Sequence, residues 1–173
     1  GAMSKSVLNR DELPAGSSIR RVSEKAAELG LDIEIVKMAD STRTAEDAAA
    51  ACECQVGQIV KSLVFENSDT GAITLLLVSG AHNADLDHVA SAHGLKLGRC
   101  DGRRVRDETG FAIGGVAPIG HKIAVPVYMD EALLHYDVVW AAAGRPDSVF
   151  SVDPKALAQA TGAKVISVKA EAN

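Results

Sequence analysis

The chain has 173 residues, 47% of them hydrophobic but only 3% aromatic, and a formal net charge of -5. That length suits one well-buried domain and is too short for two of ordinary size, and the shortage of aromatics predicts a core built from Ala, Val, Leu and Ile. A pI near 5.5 excludes a chain that coats nucleic acid non-specifically, so any RNA contact has to be local.

In chain order, Gly1-Ala2-Met3 reads as the remnant of a cleaved expression tag with the start methionine, leaving 4–173 as the expected single domain. Ile19, Val22, Ala26 and Leu29 share one helical face, which predicts a helix over 17–29 ended by Gly30. Alternation over 31–38 predicts a strand. Residues 40–44 are polar turn chemistry, with Thr44 a candidate N-cap for an alanine-rich helix over 45–52 and Asp47 at the third following position. Two β-like runs, 58–66 and 72–79, are separated by the hairpin signal Asn67-Ser68-Asp69-Thr70-Gly71 and are expected to pair antiparallel.

Helices are predicted at 86–93 and 102–108. A glycine-rich loop over 109–121 follows, then strands at 123–129 and at 138–143, the latter ending at Gly144. Strands at 148–152 and 164–169 flank a helix at 154–161. No repeat or low-complexity tract interrupts this order. With no signal peptide, no apolar run of membrane-spanning length and no CxxC among Cys52, Cys54 and Cys100, the expected location is a reducing cytoplasm. Cys52 and Cys54 read as core or surface thiols rather than as a zinc or redox pair.

The glycine loop carries Gly110, Gly114, Gly115 and Gly120 with Pro118 among them. Glycines let a ligand lie against bare N–H groups while proline holds the loop in shape, so the segment is either a site for an anion or polarised carbonyl or a glycine-rich connection. It is neither a P-loop nor a Rossmann turn, because no helix follows it and neither spacing is present. His121 closes the loop and can donate to a substrate, shuttle protons or cap nearby carbonyls.

Lys61 interrupts the apolar run Ile59-Val60-Lys61-Ser62-Leu63-Val64-Phe65. Burying an ammonium without partners is costly, so Lys61 either snorkels from an edge strand or points into a polar cleft. Alternation puts it on one face with Ile59, Leu63 and Phe65 and puts Ser62 on the other with Val60 and Val64. His82, His88 and His93 lack the spacing of a helical metal pair, so neither a metal site nor a cofactor is expected. No GxSxG elbow supports a serine triad. Lys96, Arg99, Arg103, Arg104 and Arg106 form a basic cluster that is either a phosphate-backbone contact or a solvated helix face balanced by Asp101, Asp107 and Glu108.

Gly57 through Phe65, then Thr109-Gly110-Phe111 through Pro118-Ile119-Gly120-His121, then Ala141-Ala142-Ala143-Gly144 together resemble the YbaK/ProX family. That family includes free-standing aminoacyl-tRNA deacylases and resembles the editing domain inserted in bacterial prolyl-tRNA synthetases. The resemblance implies an α/β (α+β) fold, a mixed, strongly curved β-sheet with surrounding helices. It matches Lys61 to the family's functional lysine, Gly114 and Pro118 to the ends of its GxxxP loop, and His121 to the histidine of its Gly-His step.

The implied reaction is hydrolysis of the ester joining a wrongly attached small amino acid to the acceptor end of tRNA. N–H groups around Gly114 and Gly115 would stabilise the oxyanion, each donor contributing ~3–4 kcal/mol. Lys61 would hold the terminal phosphate or ribose, His121 would orient the loop or a water, and water would attack, assisted by the free ribose hydroxyl. Ser62, Pro118, Gly120 and Gly144 are the expected substrate-binding residues, and Arg99, Arg103, Arg104 and Arg106 the expected tRNA contacts. A synthetase is a candidate partner; DNA and membranes are not. Alanine, cysteine, serine and threonine are the candidate amino acids. The alternatives are a non-catalytic module binding tRNA, a nucleotide or a synthetase through the same cleft, and a small-molecule esterase or nucleotide hydrolase.

Overall fold

The structure, a computed structural model, describes residues 5–39 and 44–171. In chain order its elements are β1 (Lys5–Leu8), α1 (Ser18–Glu28), β2 (Ile35–Met38), α2 (Ala45–Cys52), β3 (Val60–Asn67), β4 (Ile73–Ser79), α3 (Leu86–His93), β5 (Leu97–Arg99), α4 (Gly102–Thr109), β6 (Val127–Asp130), β7 (Val139–Ala142), β8 (Ser148–Val152), α5 (Pro154–Thr161) and β9 (Lys164–Ile166). Short 3-10 turns precede β3 and follow β6. The expected mixed α/β class holds, with the strands divided between two sheets.

One sheet runs β1-β2-β8-β7, antiparallel throughout. The other runs β5-β3-β4-β6-β9, antiparallel up to β4 and parallel beyond it. A single parallel bridge, Ile59 to Trp140, joins them where β3 and β7 begin. Local signals account for most of the helices. The Ser17 hydroxyl caps α1 by accepting from the Arg20 N–H, and Thr44 caps α2 from Asp47, as the spacing predicts. Of the predicted turn at 40–44, residues 40–43 lie outside the described residues.

Alternation along β3 places Val60 and Val64 in the main core between the sheets, with Ile19 and Val22 of α1, while Leu63 and Phe65 pack on the opposite face against Val89 of α3. β4 is buried along its whole length.

Several boundaries differ from expectation, for one physical reason: a strand lasts only as long as its partner. The predicted strand 31–38 starts at Ile35, where the four residues of β1 pair with it; Leu31 instead donates back to Ala26 at the end of α1. The predicted strand 123–129 starts only at Val127. Ile123 is 40% exposed, and Pro126, which has no N–H, contributes its carbonyl to Leu75. The predicted strand 164–169 stops at Ile166, where β6 ends. β1 and β5 were not expected from the sequence.

The first helix holds the loops that face it. Ser18 donates to the Gly144 carbonyl at 2.8 Å, and the Arg21 guanidinium donates to both Gly120 (3.0 Å) and Gly110 (2.9 Å), the two ends of the glycine loop. Gly120 has φ +87°, and a Cβ there would lie 3.2 Å from the Val22 backbone. Replacing Gly120 by Ala therefore adds left-handed strain and pushes α1 away, and should lower stability by about 2 kcal/mol. Urea unfolding checks this as a lower midpoint at unchanged slope.

Candidate active site

Because β5 pairs only with Phe65–Asn67, residues 60–64 of β3 have, among the described residues, a strand neighbour on the β4 side alone. A cavity of about 440 Å³ occupies the space beside that open edge, within the ordinary range of small-molecule sites. β7 and Val149 form its far side, α2 contributes Thr44, Ala45 and Ala48, and the glycine loop contributes Ile113, Gly114 and Val116. Cys100 and Val105 complete the wall toward α4. Burial pushes the Cys100 thiol up, with nearby Arg104 acting the other way, so the wall there is a neutral thiol rather than a thiolate nucleophile.

Of the sequence-derived candidates, Lys61, Ser62 and Gly114 meet at this cavity. Lys61 combines the two arrangements left open for it. It lies on an interior strand of the sheet order, but along a stretch whose outer edge is open. Its ammonium donates to the His82 carbonyl, and an ammonium has three donors, so two are without a partner among the described residues. Ser62 faces the other way, and its hydroxyl oxygen is buried with no hydrogen-bond partner among the described residues. A buried hydroxyl left unpaired costs about 1–3 kcal/mol.

The glycine loop turns sharply at its tip: the Gly115 N–H donates to the Ala112 carbonyl at 3.0 Å and Gly114 has φ +91°, the geometry that calls for glycine at the third residue of a type II turn. The Gly115 N–H is thus committed inside the turn and is not available to an oxyanion. Among the described residues nothing accepts from the Gly114 N–H, and Gly114 lines the cavity. Ile113, 71% exposed, projects at the cavity rim.

Pro118, Gly120 and His121 stand away from the cavity lining, on the side of the loop held by α1; Gly144 likewise packs on α1, with the Ser18 hydroxyl on its carbonyl. His121 Nε2 donates to the Ala117 carbonyl at 2.8 Å, and its ring meets Phe111 edge to face, over which Arg21 is stacked at 5.0 Å. Burial carries the His121 imidazole from its ordinary 6.5 to about 4, opposed by the Ala117 bond and helped by Arg21. His121 is therefore neutral at pH 7 and serves as an internal tie of the loop.

Arg99, Arg103 and Arg106 are exposed beside the α4 wall of the cavity. Arg104 is occupied: it pairs with Glu108 and Glu66 and donates to the Gly71 carbonyl at 2.7 Å, which pins α4 to the hairpin. Sequence reasoning missed Arg21, whose position on an amphipathic helix looks like any solvated charge.

A protein-family model described as "Aminoacyl-tRNA editing domain" matches residues 39–160. A solved structure described as "a putative trans-editing enzyme for prolyl tRNA synthetase" superposes with a TM-score of 0.83 at 43% identity, over 92% of this chain and 100% of that one. The "Uncharacterized protein YwhH" of Bacillus subtilis is 27% identical over 148 residues, 86% of this chain and 94% of its own length. The "Putative Cys-tRNA(Pro)/Cys-tRNA(Cys) deacylase EbsC" of Enterococcus faecalis is 27% identical over 128 residues, 72% of this chain and 76% of its own length.

The state of His121 has a measurable consequence. The unfolded chain takes up a proton near pH 6.5 and the folded one only near pH 4, so the stability from a neutral His121 is complete above 6.5 and is lost as pH falls toward 4. Chemical denaturation of His121→Gln, which keeps an N–H donor for Ala117, should show a shallower loss across that window than the wild type.

Proposed function

Since the chain belongs to the aminoacyl-tRNA editing domain family and so acts as a hydrolase on the aminoacyl-tRNA ester bond, we propose that it works in trans, in the cytoplasm, on a tRNA for proline mischarged with alanine, cysteine, serine or threonine. The prolyl-tRNA synthetase link of the 43% identical structure and the Cys-tRNA(Pro) link in the name of EbsC support that choice of tRNA. The observation that carries the reading is the convergence of Lys61, Ser62 and Gly114 on one cavity at the open edge of β3.

The terminal aminoacyl-adenosine enters with its amino acid against Val60, Val64 and Ala141, a small apolar surface. The Ser62 hydroxyl takes a polar group of the amino acid, either its ammonium or the hydroxyl or thiol of its side chain, and so gains the partner it lacks. Lys61 holds the terminal ribose or its phosphate through its two remaining donors. Ile113 offers an apolar cover for the adenine at the rim.

Water adds to the ester carbonyl, and the developing oxyanion accepts from the Gly114 N–H. Collapse of the tetrahedral intermediate breaks the bond to the ribose oxygen, which leaves with a proton, and the amino acid departs as its carboxylate. The vicinal ribose hydroxyl relays the proton from water. An aminoacyl ester is activated enough that preorganised N–H donors and positioning suffice without a strong side-chain base. Pro118, Gly120, Gly144 and His121 act on this chemistry through the shape of the loop. A synthetase partner would hand over the mischarged tRNA.

Release of amino acid from purified tRNAs charged with alanine, cysteine, serine, threonine and proline tests the reading. The wild type should discharge one or more of the small residues and spare proline, with Lys61→Ala slower by roughly 100-fold and Ser62→Ala by roughly tenfold, the cost of one hydrogen bond. A folded Lys61→Ala protein that works at the wild-type rate would remove the central claim.

The exposed arginines beside the cavity carry a separate expectation. Arg103→Glu and Arg106→Glu together should raise KM for aminoacyl-tRNA with little change in the rate at saturation, and should flatten the dependence of log KM on log salt. Titration of activity across salt concentrations reads both.

A further inference from the structure

A buried carboxylate on the far side of Lys61 has no part in the reaction described so far. Asp130, the last residue of β6, is 1% exposed. Its Oδ2 accepts from the Ser79 N–H at 3.1 Å and from His82 Nδ1 at 2.9 Å, and its Oδ1 from the Ala132 N–H at 3.0 Å. A charge buried among such partners is weak evidence for stability, because apolar packing commonly does as well or better. What the arrangement does provide is a fixed position for the segment after β4.

That segment, residues 79–82, is tied at each residue. Ser79 donates its hydroxyl to the Gly57 carbonyl at 2.8 Å, the Gly80 N–H donates to Ile59 at 2.7 Å, and the Ala81 N–H donates to the Ser79 hydroxyl at 3.3 Å. The His82 N–H donates to the Ser79 carbonyl at 2.9 Å, and its ring is held by Asp130. A Cβ on Gly80 would sit 2.4 Å from the Val56 carbonyl oxygen, so the turn is pressed against the segment leading into β3. The outcome of these ties is the location of one group, the His82 carbonyl that accepts from the Lys61 ammonium.

We propose that Asp130 and His82 are positioning residues for Lys61, acting through the chain Asp130 carboxylate, His82 imidazole, His82 carbonyl and Lys61 ammonium. The chain fixes a flexible four-carbon side chain at the end of the strand, with one donor held by protein and two presented to the cavity. It explains why a half-buried imidazole, 22% exposed, is bonded to a fully buried carboxylate beside a backbone turn. The proposal rests on the role assigned to Lys61 above.

Two readouts on the full chain test it: the 15N resonance of the Lys61 ammonium, assigned by its loss in Lys61→Ala, and the single-turnover deacylation rate. The variants are His82→Ala, Asp130→Asn and His82→Asn, whose side-chain amide nitrogen stands in for the Nδ1 donor. With folding confirmed by the amide spectrum, His82→Ala and Asp130→Asn should shift or broaden the Lys61 signal and slow the reaction by about 10- to 100-fold, and His82→Asn should restore both. In a Lys61→Ala background, His82→Ala should cause little further loss.

An unmoved Lys61 resonance in folded His82→Ala overturns the proposal, and so does a loss of rate that persists in full in the Lys61→Ala background. If Asp130→Asn does not fold, the two His82 variants decide alone, since that ring is partly exposed. Wild-type activity in Lys61→Ala would defeat the catalytic reading instead, while the resonance would still report whether the chain holds the lysine.

Discussion

Residues 60–64 of β3 bond to a strand on one side and face the cavity on the other, and the site depends on that asymmetry. An uncovered strand edge is a row of unpaired N–H and C=O groups that folded proteins usually pair or block. Here β5 begins to cover it and stops after three residues, because Asp101 caps α4 from the Arg103 N–H and turns the chain away. α4, α2 and the glycine loop then close over the edge at side-chain distance. The gap between a strand and the elements that cover it without pairing is the cavity, which is why backbone polarity, Lys61 and Ser62 are all available there.

The glycine loop divides its labour between its two sides. On the cavity side, Gly114 makes the turn, and its N–H has no acceptor among the described residues. Facing α1, Gly120 allows helix and loop backbones to touch, while Arg21 bonds carbonyls at both ends of the loop and His121 ties its middle. This rigidity fits the oxyanion role proposed for Gly114, since a preorganised N–H needs no rearrangement during a reaction. It also recasts the pattern of glycines and histidine. Much of what looks like ligand-binding chemistry in the sequence is packing that ties the loop to α1.

Elements with local signals were legible. α2 and α5 match their predicted ranges because their caps, Thr44 and Asp153, and their apolar faces lie within the same few residues. The hairpin of β3 and β4 was equally clear from its turn. β1 and β5 have four and three residues, too few for periodicity to declare itself, and β2 and β6 were drawn too long because alternation continues past the end of the partner strand. Lys61 and Ser62 stood out as polar residues in an apolar run. Asp130, His82 and Arg21 did not, because their roles come from partners 48, 89 and 99 positions away, with nothing in the neighbouring sequence to mark them.

An acidic chain acting on RNA is consistent with how its charges are spent. Arg104 is committed to Glu66 and Glu108, and Arg21 to loop carbonyls, so both serve the fold. Arg99, Arg103 and Arg106 are left exposed, close in sequence to the cavity wall at Cys100 and Val105, and Arg145 is exposed beside the lining residue Pro146, in a protein with a net charge of -5. Exposed charges are largely screened beyond a Debye length of about 8 Å, so such cations act on phosphate only nearby and the net negative charge does not cancel them there. On the proposed reading discrimination falls to the cavity, where the Ser62 hydroxyl and a small apolar wall would meet the amino acid. A site of that kind separates small residues from one another only weakly, by about 1–3 kcal/mol per methylene, so on the proposed reading its selectivity would depend most on the hydrogen bond at Ser62.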